Sequence, residues 1–379
     1  MHNFLIFLRK HLFFTTLTFI LALCVDFYLM AMLWTGFAEW FSRTIGMFFR
    51  VITGAMTSWM PFSFMEMTVI AILIAVVCLL VTGILWLILS LYRKKSAQKA
   101  KKFFYALLKT GVAAVMIGSS LFFVNHGVNY YRHSTAENLG LKDTLKKEDV
   151  FSTLTWLVEE LNMLDGEISF DESGASVCPY DFDTLAQKVK VAYDNFGSSW
   201  DFLQKTGFAS KRIYLSNYLI YTHISGIYCP YTGETNINTA YPDYIVADTI
   251  AHEYSHQRGV APENECNFLA FAVNYSSGDA YLRYAALANG FSAVARDAAK
   301  LDFDRYKTVM ADCPDWLFQE YHAYKEYFKK YAENPAATVA SNLNDSYLKS
   351  QGQEQGIQSY RMETELICRY YLTFFQEVS

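Results

Sequence analysis

From Met67 to Tyr92 the chain reads MTVIAILIAVVCLLVTGILWLILSLY, without one charged side chain. As a helix, a run of that length is long enough to cross about 30 Å of hydrocarbon. Two further runs share its character. One extends from Leu12 to about Trp34 and is interrupted by Asp26; the other extends from Phe103 to Val124, with Lys109 near its start. The pattern predicts an N-terminal bundle of three transmembrane helices, over residues 12–34, 67–92 and 103–124, in a membrane anchor spanning residues 1–130. The first run is longer than the apolar part of a signal peptide and lacks a small-residue cleavage site, so it reads as a span. Composition agrees: 53% hydrophobic and 18% charged residues in 379 are too apolar for one average soluble domain, and the excess lies in the first third.

Basic residues orient the spans. Arg9 and Lys10 precede the first, and RKKSAQKAKK, Arg93 to Lys102, forms a short loop between the second and third. Both clusters belong on the cytoplasmic side. The expectation is a multi-pass protein of the cell membrane with a cytoplasmic N-terminus and an extracytoplasmic domain over residues 131–379. Between the first two spans, residues 36–67 mix aromatics with Arg43 and Arg50. They read as an amphipathic segment in the outer interface, anchored by Trp40 and Trp59, with admission of membrane-embedded substrates as a second reading. Asp26 is expected to reach headgroups or to pair with Lys109. The net charge of −5 leaves no dominant basic surface and argues against a nucleic-acid partner. Seven cysteines without CxxC spacing give neither a thiolate metal site nor a disulfide framework.

Beyond residue 130 the pattern becomes mostly helical. KKEDVFSTLTWLVEELNML and DFDTLAQKVKVAYDNFG carry apolar residues at helical spacing. Residues 212–238 are rich in Tyr and Ile, are broken by Gly226, Pro230 and Gly233, and predict one or two strands with a turn. A helix follows from about Pro242 to Arg258, stopped by Gly259, and a second from Pro262 to near Gly278. Strands before the central helix and helices after it make the domain α+β with a small sheet.

The central helix carries His252-Glu253-Tyr254-Ser255-His256. Histidines four apart share one helix face, and two imidazoles with a following carboxylate are the ligand set of a catalytic zinc that keeps an open position. His252 and His256 are the candidate metal ligands, and Glu253 is the candidate general base. Glu263 and Glu265 compete for the third ligand because they lie on opposite sides of the next helix. Glu263, with Asn267 and Ala270 on its face, is favoured; Glu265 then serves as a supporting partner or a charge near the helix start. Glu234 and Asn238 are candidates for lining a cleft, or else turn residues. His223 reads as a packed or hydrogen-bonded histidine. Tyr360 and Arg361 are candidates for stabilising a developing oxyanion.

Residues 263–267, ENECN, resemble the Glu-x-x-Ala/Cys-Asp/Asn signature that follows HExxH in membrane CAAX-prenyl-protease-like and regulatory gluzincins. There the first Glu binds zinc, which supports Glu263. Over most of its length the chain is similar to the uncharacterised bacterial membrane family called domain of unknown function 3810. The matching stretches are MPFSFMEM at 60–67, GIYCPYTGETNIN at 226–238, AHEYSHQRGVAPENECNFLAF at 251–271 and NDSYLKSQGQEQGIQSYRM at 344–362. The resemblance implies a membrane anchor and a zincin-like, gluzincin-type metalloprotease domain, and it implies no substrate. In gluzincins the strand before the metal helix pairs with extended peptides, a task suited to an exposed strand edge.

The expected function is a membrane-anchored zinc metallopeptidase, a hydrolase of peptide or protein substrates with Zn2+ as cofactor. Two alternatives stand beside it. One is a non-catalytic, metal-stabilised sensor or scaffold. The other is a zinc amidase or deacylase acting on cell-envelope material, since activated water attacks any polarised carbonyl. The sequence leaves substrate identity and oligomeric state open.

Overall fold

A computed structural model describes residues 11–203, 207–332 and 334–376; Arg9, Lys10 and Glu333 lie outside the described residues. The chain opens with α1 (Leu12–Leu33), α2 (Thr35–Phe41), α3 (Met47–Ser58), α4 (Phe64–Tyr92) and α5 (Lys94–Asn125). Of these, α1, α4 and α5 are long and apolar enough to cross a membrane. α4 begins at Phe64 rather than Met67 because Ser63 caps it, its hydroxyl accepting from Glu66 N at 3.0 Å.

The basic stretch Arg93 to Lys102 is not a loop. Only Arg93 leaves helical geometry, and Lys94 onward forms the first turns of α5. Lys, Ala and Gln are good helix formers, so the span extends through its own charged end. The Lys101 ammonium lies 5.4 Å from the centre of the Trp86 ring, tying the returning helix to α4.

The expected Asp26–Lys109 pair does not form; both side chains are exposed and no ion pair joins them among the described residues. The helix register explains this. Tyr28 packs on Phe123 at 4.9 Å. At 1.5 Å per residue, Lys109 therefore lies roughly 18 Å along the helix from the level of Asp26.

After a 3-10 turn at Gly127–Tyr131 come α6 (Thr135–Leu139), α7 (Lys147–Asn162), α8 (Phe182–Gly197), β1 (Lys211–Arg212) and α9 (Ser216–Leu219). Then follow β2 (Gly226–Cys229), β3 (Glu234–Ile237), α10 (Asp243–Gln257), α11 (Glu263–Tyr275), α12 (Ala280–Leu301) and α13 (Phe303–Met310). The remaining helices are α14 (Asp315–Phe328), α15 (Pro335–Ser350) and α16 (Glu363–Phe374). The architecture is thus mostly helical with one small sheet, ordered β1-β3-β2.

β1 runs parallel to β3, and β2 and β3 form an antiparallel hairpin with Gly226 opposite Ile237 and Cys229 opposite Glu234. The hairpin occupies only the second half of residues 212–238. The first half contains α9 and His223, which has left-handed backbone (φ 59°). His223 Nε2 lies 2.8 Å from the Tyr331 carbonyl, so this histidine is hydrogen-bonded away from the candidate metal ligands.

One large core joins α7, α8, α10, α11, α12 and α16 through Leu154, Leu157, Val189, Ile250, Phe268, Tyr284 and Ile367, all fully buried. A smaller cluster of Cys24, Ala31, Phe37, Phe41, Val124 and Val128 joins the ends of α1 and α5 to α2. α10 packs against α8, α11, α12, β2 and β3, which explains why nearly every residue of its second half is buried.

Arg258 closes the end of α10. It is 1% exposed, and its guanidinium stacks 4.2 Å from the Tyr193 ring and donates to Asp194 Oδ1 at 2.6 Å. Asp194 is 23% exposed and keeps Lys190 at 2.9 Å, so what Arg258→Ala removes is the packing of a fully buried side chain against Tyr193. That cavity is expected to cost about 3 kcal/mol, read as a lower denaturant midpoint.

Segments preceding residue 131 reach deep into this body. Arg132 donates to both carboxylate oxygens of Glu39 and, at 2.6 Å, to the Gly259 carbonyl. Ser63 donates to Asn236 Oδ1 at 2.6 Å, and Asn125 Nδ2 to the Pro230 carbonyl at 2.8 Å. Arg50 does not face an interface but is 2% exposed, with Nη2 donating to the Ser42 carbonyl at 2.8 Å. Burial depresses its pKa to about 10.

Candidate functional site

The site begins with how α10 stops. Gly259 takes a left-handed conformation (φ 87°), Gly259 N bonds the His256 carbonyl at 3.0 Å, and Val260 N bonds the Ser255 carbonyl at 3.0 Å. These are the paired bonds of a Schellman ending, which favours glycine at that position. The turn brings the Val260 carbonyl back to His256 Nδ1 at 2.9 Å. A carbonyl only accepts, so Nδ1 carries the proton and Nε2 points away from the helix end.

α11 supplies the other half. Pro262 precedes its first turn, and Glu263 is its first residue, where the helix dipole favours an anion. Glu263 Oε2 lies 3.1 Å from His252 Nε2 and 3.4 Å from His256 Nε2. One turn on, Asn267 Nδ2 donates to the Tyr360 carbonyl at 2.8 Å, leaving Oδ1 to accept from His252 Nδ1 at 2.7 Å. Each histidine is thus oriented through Nδ1 by a defined acceptor.

Glu265 points elsewhere. Its carboxylate accepts from Thr135 N at 3.0 Å and Thr135 Oγ1 at 2.6 Å, anchoring the start of α6.

Glu253 is 4% exposed, and its Oε2 has no hydrogen-bond partner. Its carboxylate lies against β2, where a Cβ on Gly226 would meet Oε1 at 2.6 Å. Burial raises the Glu253 pKa, opposed by His252 and His256, reinforced by Glu263 and opposed by a Tyr228 backbone hydrogen bond. β2 pairs only with β3 among the described residues, so an edge strand adjoins the candidate base. Tyr228 on that strand stacks on His256 with ring centres 6.3 Å apart.

Tyr360 is brought to the site, its ring parallel to His252 at 6.3 Å, and its hydroxyl accepts from Asn344 Nδ2 at 3.3 Å. The Arg361 side chain is exposed; the contact made at this position is its carbonyl accepting from Arg296 at 2.8 Å. Glu234 and Asn238 stay out of the cluster. Glu234 pairs with Lys211 at 2.5 Å and accepts from Phe64 N and Met65 N at the start of α4. Asn238 bridges the Ile224 carbonyl and Ala240 N, as a turn residue does.

Two residues at the site escaped sequence reasoning. His126, the residue after α5, places its ring 5.5 Å from that of His256. Its sequence distance from the motif hides this, and no spacing rule links the two. Cys266 Sγ lies 3.4 Å from His256 Nδ1, and one donor atom each from His252, His256 and Cys266 fall within 4.8 Å. Cys266 faces the nitrogen already engaged by Val260, and burial pushes its thiol up to about 12. We therefore assign Glu263, on the Nε2 side, as the better third donor.

The tautomers test whether a cation fits. With both Nδ1 atoms acting as donors, neutral rings direct their Nε2 lone pairs at the Glu263 carboxylate, an arrangement that a cation between them stabilises. Burial by itself lowers the His252 and His256 pKa values and raises that of Glu263, yet the Glu263 carboxylate beside both rings, with Cys266 beside His256, reverses all three shifts, so the metal-free site is an ion pair that a cation would replace by displacing the ring protons. His252, His256 and Glu263 could hold a divalent ion of the zinc type. If they do, Asn267→Ala lowers its affinity roughly 10- to 100-fold, measurable by competition with a chromophoric chelator.

The fold and site define a helical protein with membrane-length helices and a buried His-His-Glu cluster. Residues 41–368 match the family described as "Protein of unknown function (DUF3810)", and the chain belongs to that family. No curated protein and no solved structure matches it.

Proposed function

We propose that the chain is a membrane-anchored zinc metallopeptidase that hydrolyses peptide bonds near the membrane surface. The observation that carries the reading is the convergence of His252 Nε2, His256 Nε2 and Glu263 Oε2, with an otherwise unpartnered Glu253 oxygen nearby. Zinc bound there would supply Lewis-acid polarisation of a carbonyl and of water. The protein's own groups do the rest. Glu253 takes a proton from the attacking water and returns it to the leaving amine, and its raised pKa suits it to both steps. β2 offers an edge on which an extended substrate can pair. His126, one residue beyond α5, places this chemistry next to a membrane-length helix. In this reading the basic ends of α4 and α5 are cytoplasmic and the site is extracytoplasmic.

One observation favours the non-catalytic, metal-stabilised scaffold. His252, Glu253, His256 and Glu263 are only 4–9% exposed, so substrate entry requires the cover over them to open. The test is hydrolysis of a peptide library by the full chain in detergent or vesicles. Cleavage should stop on chelation and return with Zn2+. Zinc-loaded protein that cuts no member of the library would sink the peptidase reading.

A further inference from the structure

Among the large exposed apolar side chains beyond residue 200, one set lies beside the membrane-length helices. Tyr214 is 92% exposed and Tyr218 on α9 is 74% exposed. Their height is set by α4, because the backbone N–H groups of Tyr214 and Leu215 donate to the Glu66 carboxylate at 2.9 and 2.8 Å. Glu66 lies in the first turn of α4, a helix long and apolar enough to span a bilayer. These tyrosines therefore stand where α4 leaves the hydrocarbon. Trp59, just before α4, is 74% exposed at the same end.

The hairpin of the sheet reaches further down. Tyr231, in the β2–β3 turn, lies 3.7 Å from where a Cβ on Gly118 would sit. Gly118 precedes the end of α5 at Asn125, so at 1.5 Å per residue the turn reaches about 10 Å along the span. α15 completes the face. Val339 and Leu343, one turn apart, are 58% and 68% exposed. On the next turn Tyr347 packs against Phe122 of α5 with ring centres 6.1 Å apart.

We propose that the face carrying Trp59, Tyr214, Tyr218, Tyr231, Val339 and Leu343 is seated in the headgroup layer of the bilayer crossed by α4 and α5. The occupant is lipid rather than a second protein because the face is continuous with the spans through Glu66 and Gly118. Any bilayer that surrounds those helices meets the tyrosines and the tryptophan. Trp and Tyr also suit this layer, with apolar rings and one polar tip.

The experiment uses the full chain in phosphatidylcholine–phosphatidylglycerol vesicles, with Cys78 and Cys178, the two cysteines not fully buried, replaced by serine. Nitroxides are placed singly at 218, 343, 115 (an exposed α5 position) and 307 (on α13). Oxygen and nickel-chelate accessibilities are then compared. Labels at 218 and 343 should report depths between those at 115 and 307. Both matching the aqueous value at 307 would overturn the proposal. Hydroxyl-radical footprinting of the unmodified chain gives an independent reading. Trp59 and Tyr214 should be protected in vesicles at every protein-to-lipid ratio. Full oxidation, or protection that grows with protein density, would overturn lipid as the occupant. Neither readout depends on turnover, so the peptidase reading can fail without affecting this one.

Discussion

Glu253→Gln should lower peptide hydrolysis by roughly 10²- to 10⁴-fold, the range expected when a positioned acid–base group is removed, while leaving zinc content unchanged. Gln preserves the shape of the side chain, so β2 and the two histidines keep their packing. Glu253 Oε2 has no partner and burial raises the carboxyl pKa, so the folded chain gains little from the charge. The variant should therefore melt at or slightly above the parent temperature. Turnover by stopped fluorescence on a quenched peptide, beside metal analysis, separates the outcomes. Full activity in the variant would remove Glu253 as the base. A variant lacking both activity and zinc would assign it a ligand or folding role instead.

How much of this was legible in the sequence depends on how local each relation is. The spans are local, since length and absence of charge suffice, and only their ends moved. Ser63 extended α4 to Phe64, and the basic residues after Arg93 joined α5 rather than a loop. The histidine pair is also local, being set by helical spacing and by a Gly259 turn that stops the helix. Glu263 and Glu265 could be separated only weakly, because facing depends on where α11 lies against α10 and α6. Tertiary relations were out of reach. His126 comes from the end of a span, and Asn267 is recognisable as a support only once Tyr360 is seen to fix its amide. Glu234 has the composition of a cleft residue, yet it lies beside Lys211 and the exposed N–H groups of α4, which claim its carboxylate. Arg50 lies in a segment whose composition suggests an interface, but the contacts of α2 and α3 with the main body bury it.

These contacts also connect anchor and site. Glu39, Asn125 and Arg132 fasten the ends of the membrane-length helices to Gly259 and Pro230, the turns that close α10 and the hairpin. A change in how α2 packs beside the segment that follows α5 therefore acts directly on the turn that orients His256.

Glu263→Ala and Glu265→Ala should have opposite consequences, although the two residues are nearly adjacent. Glu263→Ala removes the one carboxylate facing both Nε2 atoms, so zinc content should fall from one per chain to near zero at equimolar metal. It also leaves His252 and His256 without their buried counter-ion, so the metal-free form should melt below the metal-free parent. Glu265→Ala should retain zinc but lose two hydrogen bonds to Thr135, one from N–H and one from the hydroxyl. Hydrogen bonds to a charged group contribute about 1.5–3 kcal/mol each. Because burial raises the Glu265 pKa and offsets part of that gain, the net loss should be about 2 kcal/mol. Metal analysis and thermal melting of both variants decide the assignment. Loss of zinc in Glu265→Ala with retention in Glu263→Ala would transfer the ligand role to the other face of α11. Retention in both would leave Cys266 as the third donor to test.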